Sequence, residues 1–134
     1  MLEISFRQGA VDDLLKYAKG MSPLEAVAFL LGVAKGDQHS VSEIMAVNNA
    51  DKSAVSFSVA PQELYDVYAL AEKAGLSIVG LFHSHPAPPY PSTIDKNFMK
   101  MNPFVWVIAS SIDWRIEAFI LTGSHIAPVK IVRG

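Results

Sequence analysis

The sequence contains no cysteine among its 134 residues. This absence excludes disulfides, thiol catalysis and thiolate metal sites, and it leaves histidine, carboxylate and water as the ligands of any transition-metal site. Basic residues are also few: eleven Lys and Arg stand against thirteen Asp and Glu, which gives a net charge of −2 with no basic cluster. We therefore do not expect nucleic acid as a partner.

Long apolar runs are missing as well. No stretch of the chain approaches the roughly 18 apolar residues that a membrane-spanning helix needs. Residues 1–15 also lack the order of a secretory leader, in which a basic segment precedes an unbroken apolar one. These absences predict a cytoplasmic protein without a membrane partner.

The residues that are present have the composition of an ordinary globular protein. Apolar residues make up 51% of the chain and charged residues 18%. A chain of this length buries roughly two-thirds of the surface that its unfolded form exposes, which suffices for one core but not for two ordinary domains. Because no linker or repeat divides the sequence, we predict a single domain over residues 1–134.

Two amphipathic helices are indicated by apolar residues at helical spacing. The first lies between Gly9 and a glycine stop at Gly20. The second begins at Pro61, has Glu63 in its first turn and ends before Gly75. Their apolar positions are Val11, Leu14, Leu15 and Ala18 in the first helix and Leu64, Val67, Tyr68 and Ala71 in the second.

Short β-rich runs account for most of the remaining chain. They are residues 26–34, 41–47, 54–59, 77–85, 104–111, 115–121 and 127–132. Gly36-Asp37 and Ile112-Asp113 are typical of turns between neighbouring runs. Periodicity does not separate strand from buried helix in the uniformly apolar first run, but its shortness and Gly32 favour a strand. The pattern predicts an α/β protein with a central mixed β-sheet flanked by helices.

One β-rich run ends in a pair of histidines. Alternate side chains of a strand face the same side, so His83 and His85 project together while Ser84 turns away. Two neutral imidazoles can bind a transition metal but do not complete a site. Asp95 is the nearest acid downstream, and the four prolines within residues 86–91 could fold it back with little further loss of entropy. Two His and one Asp would leave an open position for water, as in catalytic zinc sites.

Purely structural interpretations compete with this one. An isolated His-x-His is weak evidence for a metal, and His39 and His125 lie beside turns, where we interpret them as ordinary surface or core residues. Ser92 and Asp95 match a capping box that begins a helix over residues 93–101. The cap is compatible with ligation, because a helix start can orient an Asp towards a metal.

A hydrolytic metal site also needs a general base, and Glu25 is the acid in the most distinctive surroundings. It opens the apolar run 26–34, at the edge of a buried sheet, whereas the other acids fall on solvated helix faces, in turns, near the terminus or, like Glu43 and Glu117, on polar strand faces. The alternative is a capping box with Ser22 at N-cap, Pro23 at N1 and Glu25 at N3. The residues alone leave both interpretations open.

The stretches "SPLEAVAFLLG" and "GLFHSHPAPPYPSTID" together resemble the JAMM (MPN+) zinc metalloproteases. That family's pattern is a Glu ahead of the first sheet strand, then H-S-H-P, a short variable loop and P-S-x-x-D. The resemblance covers nearly the whole chain, whose order of elements is similar to the minimal fold of the prokaryotic members. It implies an α+β, cytidine-deaminase-like MPN fold. It also implies zinc bound by His83, His85 and Asp95, with Glu25 as general acid and base for the bound water and Ser92 holding the oxyanion.

The resemblance further implies an activity and a partner. Proteins of this kind hydrolyse isopeptide or peptide bonds after the C-terminal glycines of ubiquitin-like proteins, here a deubiquitinase-like desampylase activity, and strand addition in a narrow cleft would bind the tail. Two alternatives stay open: processing of the C-terminus of a ubiquitin-like sulfur-carrier protein, and a non-catalytic MPN scaffold, against which the intact Glu, His and Asp set argues. Exposed strand edges are compatible with a homodimer. A different His-x-His enzyme, the amidohydrolase barrel, is excluded by length.

The sequence departs from the family pattern in one respect. Asp95 follows His85 by ten residues, one fewer than is usual. Because "HSHP" and "PSTID" are both intact, the shortening falls in the arc "APPY". We expect it to alter access to the cleft more than ligand geometry.

Overall fold

A computed structural model describes residues 1–53 and 57–134, and this part of the chain contains seven strands and three helices. In chain order these are β1 (Glu3–Phe6), α1 (Ala10–Met21), β2 (Val27–Lys35), β3 (Gln38–Val47), α2 (Pro61–Ala74), β4 (Ser77–His85), α3 (Thr93–Met101), β5 (Val105–Ser110), β6 (Ile116–Thr122) and β7 (His125–Arg133). None of the described helices is long and apolar enough to cross a membrane.

The strands form one mixed sheet that closes into a barrel in the order β1-β3-β2-β4-β5-β6-β7. Strand β1 pairs in parallel with both β3 and β7, and β4 pairs in parallel with β5. The remaining pairs are antiparallel. The mixed sheet predicted from the sequence is therefore confirmed, and its closure is a feature that the sequence does not predict.

Two apolar layers place the helices on the two sides of this sheet. One layer packs α1 against residues from all seven described strands. The other packs α2 and α3 against β2, β3, β4 and β5. Strand β2 contributes to both, because successive side chains alternate: Leu30 belongs to the first layer and Leu31 to the second. The prediction that helices flank the sheet is confirmed.

The three predicted helices are present, with one difference at an end. Helix α2 begins at Pro61 and ends before Gly75, whose φ of 71° is left-handed, as expected of a glycine C-cap. Helix α1 follows Gly9 but does not stop at Gly20; it continues to Met21. It ends there because Ser22 precedes a proline, which disfavours helical ψ, and Ser22 has a ψ of 136°.

The alternative interpretation of Ser22, Pro23 and Glu25 as a capping box is wrong. Ser22 is the C-cap of α1 and donates its backbone N–H to the carbonyl of Ala18. The chain then passes through a turn into β2, whose first six residues are buried. The apolar run 26–34 is thus a strand, as favoured from the sequence, and Glu25 stands just ahead of it rather than in a helix.

The other predicted strands correspond to β3 to β7, and both predicted turns connect antiparallel neighbours. Of the predicted run 54–59, residues 54–56 lie outside the described residues, and 57–59 are not in a strand. The sequence does not predict β1, because four residues are too few to establish a period. Its place is set by β3 and β7, which are distant along the chain.

Barrel closure reduces the number of free strand edges, which were expected from the sequence to support dimerisation and strand addition. Each described strand has a neighbour on both sides along at least part of its length. Strand β1 pairs with β3 only at residues 38–40, so the rest of β3 has a strand partner on one side alone within the described residues. The edge surface for either form of binding is therefore much smaller than an open sheet would offer.

Candidate metal centre

His83, His85 and Asp95 converge where β4 ends and α3 begins. One possible ligand atom from each residue lies within 4.8 Å of those of the other two. Oδ2 of Asp95 is 3.3 Å from Nε2 of His83 and 4.0 Å from Nδ1 of His85. All three residues are buried. The loop that is one residue short thus still brings the acid to the histidine pair.

Strand β4 holds the two imidazoles side by side, with ring centroids 5.3 Å apart. Ser84 makes a different contact: its hydroxyl accepts a hydrogen bond from the N–H of Ala26 at 3.0 Å. Its own N–H donates to the carbonyl of Ala26 at 3.2 Å. Ser84 therefore holds the residue next to Glu25 against the strand that carries both histidines, a contact that the sequence does not reveal.

The ring of His83 is enclosed by aromatic side chains and carboxylates. Ring centroids of Phe57 and Trp106 lie 5.0 and 5.7 Å from it. Nδ1 is 3.3 Å from Oε1 of Glu25, and Nε2 is 3.3 Å from Oδ2 of Asp95. Neither contact has hydrogen-bond geometry, so both buried nitrogens lack a hydrogen-bond partner within the described residues. Buried polar atoms rarely lack a hydrogen-bond partner, and a metal bound at Nε2 would satisfy one of these two nitrogens.

The electrostatics of this pocket favour a positive charge. Burial lowers the pKa of His83, but the nearby carboxylates of Asp95 and Glu25 outweigh it and raise that pKa from 6.5 to about 9. Burial raises the pKa of Asp95, but His83 and the hydrogen bond from the backbone N–H of Ser92 bring that pKa below its ordinary value. A cation at this point is stabilised by two carboxylates, and a divalent metal would gain from the same charges.

The loop after β4 determines which ring nitrogen of His85 carries the hydrogen. Its Nε2 lies 2.8 Å from the carbonyl oxygen of Pro88. Since a carbonyl only accepts, Nε2 carries the hydrogen, and in the neutral ring Nδ1 keeps the lone pair that faces Asp95. The same carbonyl accepts the N–H of Tyr90 at 2.7 Å, which makes a γ-turn around Pro89.

The capping box predicted for α3 is confirmed. Oγ of Ser92 accepts from the N–H of Asp95 at 3.0 Å, and Oδ2 of Asp95 accepts from the N–H of Ser92 at 2.9 Å. These reciprocal bonds fix the Asp95 carboxylate while its Oδ2 faces the histidines. The first turn of α3 therefore orients this acid as a metal ligand would need.

A cleft of about 320 Å³ opens beside the His-His-Asp group. It is lined by Glu25, His85, Pro86, Ala87, Pro88, Tyr90 and Ser92. Glu25 is only 3% exposed, whereas Ser92 lies at the surface. Of the five candidate site residues, Glu25, His85 and Ser92 therefore line the cleft, and His83 and Asp95 do not.

Other residues considered from the sequence do not join this centre. His39 lies in β3 and His125 in β7, and neither belongs to a group that could hold a metal within residues 1–53 and 57–134. Glu43 and Glu117 are exposed on their strands, as expected. Sequence reasoning does not find the contacts of Ser84 or of the Pro88 carbonyl, because no pattern marks a backbone partner that only folding supplies.

This fold and this group of residues define a class of protein. The family described as prokaryotic homologs of the JAB domain matches residues 7–117, so the chain belongs to that family. The resemblance to JAMM proteins noted from the two motifs is thereby confirmed.

Individual relatives agree with this assignment. A desampylase of Pyrococcus furiosus is 35% identical over 113 residues, which cover 83% of this chain and 77% of the relative. A desampylase of Haloferax volcanii is 29% identical over 132 residues, or 96% and 94% of the two chains. Among solved structures, a Desulfitobacterium hafniense protein superposes with a TM-score of 0.85 at 27% identity, covering 98% of this chain and 92% of its own. A Salinibacter ruber protein gives 0.74 at 25% identity, with 97% and 91% covered.

Proposed function

We propose that this protein is a zinc-dependent hydrolase that cleaves isopeptide or peptide bonds after the C-terminal glycines of ubiquitin-like proteins. The observation that carries the proposal is the convergence of His83, His85 and Asp95 beside a cleft lined by His85, Glu25 and Ser92. Membership of the JAB family and two relatives named desampylase support the reaction and a ubiquitin-like substrate. A cytoplasmic location stays a prediction.

Nε2 of His83, Nδ1 of His85 and a carboxylate oxygen of Asp95 would hold the metal. Three nitrogen and oxygen ligands without a thiolate are typical of catalytic zinc sites, which leave one position open. When bound, zinc supplies Lewis-acid polarisation of the scissile carbonyl and lowers the pKa of a coordinated water towards about 7.

Glu25 is proposed as the general base and acid. Glu25 lines the cleft, where its carboxylate can take a proton from the attacking water and return it to the leaving amine. Its 3.3 Å approach to Nδ1 of His83 suggests a second role, since a carboxylate behind a ligand imidazole orients that ring and strengthens the ligand. The two roles predict different losses in a Glu25→Gln variant.

Ser92 is proposed to stabilise the oxyanion. As the N-cap of α3, Ser92 accepts the N–H of Asp95 with a lone pair of its hydroxyl oxygen. The hydroxyl hydrogen is not used in this bond and can point towards the cleft. One well-placed donor to a developing oxyanion contributes roughly 2.7–4 kcal/mol in comparable sites.

The test is incubation with candidate substrates, with and without a chelator, followed by mass measurement of the products. The substrates are ubiquitin-like proteins linked through their terminal glycine to a lysine side chain, and the same proteins with a linear C-terminal extension. We expect cleavage directly after the glycine, lost with chelator and restored by zinc. Cleavage of the linear extension alone would favour sulfur-carrier processing, and no cleavage by zinc-loaded protein would contradict the proposal and favour a scaffold.

Glu25→Gln separates the two roles of that residue. A general base is not a ligand, so the variant should keep about one zinc per chain and lose cleavage. If Glu25 serves only to orient His83, zinc affinity should instead fall by roughly 10–100-fold. Glu43→Gln, at an exposed strand position, is the matched control and should match the wild type in both measurements.

A further inference from the structure

Asn49 is a buried amide in the connection between β3 and α2, with 4% of its surface exposed. Its Nδ2 donates to the carbonyl of Glu25 at 3.3 Å and to the carbonyl of Ser53 at 3.2 Å. Its Oδ1 accepts from the N–H of Asp51 at 3.0 Å and from the N–H of Ser58 at 3.3 Å. One side chain thus joins Glu25 to a connection that is 24 or more residues further along the chain.

The backbone of Glu25 is bonded to this connection on both sides. Its N–H donates to the carbonyl of Ser53 at 2.8 Å, and its carbonyl accepts from Asn49. The next residue, Ala26, is bonded instead to Ser84 of β4 through both its N–H and its carbonyl. The backbone on either side of the Glu25 carbonyl is therefore fixed, and with it the direction from which the side chain reaches His83.

We propose that Asn49 is a positioning residue for Glu25, which it holds by the backbone so that the carboxylate faces the cleft. The proposal rests on the proposed role of Glu25 as base. Asn49 does not itself line the cleft. An amide suits this position because it supplies two donor hydrogens and an acceptor oxygen, whereas an aspartate could not donate to the carbonyls of Glu25 and Ser53.

A matched control lies in the same connection. The hydroxyl of Ser58 donates to Oδ1 of Asp51 at 2.7 Å, an exposed contact that holds this segment without touching Glu25. Ser58→Ala removes that bond but keeps the backbone N–H that Asn49 accepts. If the Asn49 variants act only by loosening the connection between β3 and α2, Ser58→Ala should therefore show the same effect.

The first measurement is steady-state cleavage by zinc-loaded Asn49→Asp, Asn49→Ala and Ser58→Ala proteins. Displacement of a catalytic group by about 1 Å can cost on the order of 100-fold in rate. We expect kcat of both Asn49 variants to fall by roughly 10–100-fold, with KM and zinc affinity within about twofold of the wild type, and Ser58→Ala to match the wild type. Unchanged kcat, or a parallel loss of zinc affinity and kcat, would overturn the proposal.

The second measurement is amide hydrogen exchange in the metal-free protein. The N–H of Glu25 should exchange faster in either Asn49 variant, while the N–H of Ala26, which Ser84 holds, should keep its wild-type rate. Equal acceleration at both amides, or none at Glu25, contradicts the positioning role. This arm needs no substrate, so a failure of the proposed function and a failure of this inference are distinguishable.

Discussion

Nε2 of His85 donates to the carbonyl oxygen of Pro88 at 2.8 Å, and this bond ties the shortened loop to the candidate metal centre. The same carbonyl closes the γ-turn to Tyr90. The arc "APPY" is therefore more than a connection between the histidines and Asp95, since its backbone sets which ring nitrogen of His85 is available. Despite the shortened loop, the possible ligand atoms of His83, His85 and Asp95 lie within 4.8 Å of one another.

This contact predicts the tautomer of His85. In the metal-free protein, ¹⁵N chemical shifts of the ring should show the hydrogen on Nε2, because the Pro88 carbonyl accepts it. Pro89→Gly loosens the γ-turn that shares this carbonyl and should weaken zinc binding, by up to roughly 10-fold. Pro103 is exposed and lies outside this loop, so Pro103→Gly is the control for the general effect of replacing a stiff residue by glycine. A hydrogen on Nδ1 alone would contradict the prediction.

Two variants of Asp95 separate its cap from its proposed ligand role. Asp95→Asn keeps an oxygen that can accept the N–H of Ser92 but loses the charge, whereas Asp95→Ala loses both. We expect both variants to bind zinc much more weakly than the wild type. In the metal-free protein, the free energy of unfolding of Asp95→Ala should be about 1 kcal/mol lower than that of Asp95→Asn, because only the alanine variant loses the cap. Competition with a zinc-sensitive dye and urea unfolding measure the two effects. Wild-type zinc affinity in Asp95→Ala would leave Asp95 only as a helix cap.

Substitutions of two glycines should have opposite effects on stability. A Cβ on Gly32 would overlap the backbone carbonyl oxygen of Ser40, where the register between β2 and β3 shifts. Gly32→Ala should therefore lower the free energy of unfolding by about 3 kcal/mol or more. Gly20 lies in α1, and apart from its chain neighbours and the helix backbone no described atom lies within 4 Å of an added Cβ. Gly20→Ala should therefore raise the free energy of unfolding by roughly 0.5–1 kcal/mol. Chemical unfolding of both variants checks the signs.

Stability at alkaline pH should depend on Tyr17. Its hydroxyl lies 3.0 Å from the carbonyl of Val27 and 3.2 Å from that of Val47, and burial raises its pKa above the ordinary 10.0. Because the folded protein holds this proton more tightly, the contribution is fully present below about pH 10 and is lost as the pH rises through the higher folded value. Unfolding measured across that range should show the loss in the wild type.

Tyr17→Phe should lack that alkaline decline and be about 0.5–1.5 kcal/mol less stable at neutral pH, since a hydrogen bond is gone. Tyr65→Phe is the control, because Tyr65 is 68% exposed. An identical alkaline decline in wild type and Tyr17→Phe would show that other groups cause it.

The helices and most strands were predictable because their determinants are close together in the chain. Pro61 and Gly75 bound α2, and reciprocal bonds three residues apart begin α3. The interpretation that the structure rejects also rested on residues close together in the chain. Ser22, Pro23 and Glu25 have the spacing of a capping box, but the buried partners of β2 on both sides impose a strand. Local propensity is a weak preference that tertiary packing overrides.

The sequence by itself determined the residues of the candidate site: alternation along β4 puts His83 and His85 on one side, and the cap of α3 orients Asp95. Only the tertiary structure decided barrel closure and the contacts that hold Glu25. These contacts join residues far apart, such as Glu25 with Asn49, separated by 24 positions, and Ala26 with Ser84, separated by 58. Such bonds depend on strand pairing and loop closure over the whole chain, and no local period or motif encodes them.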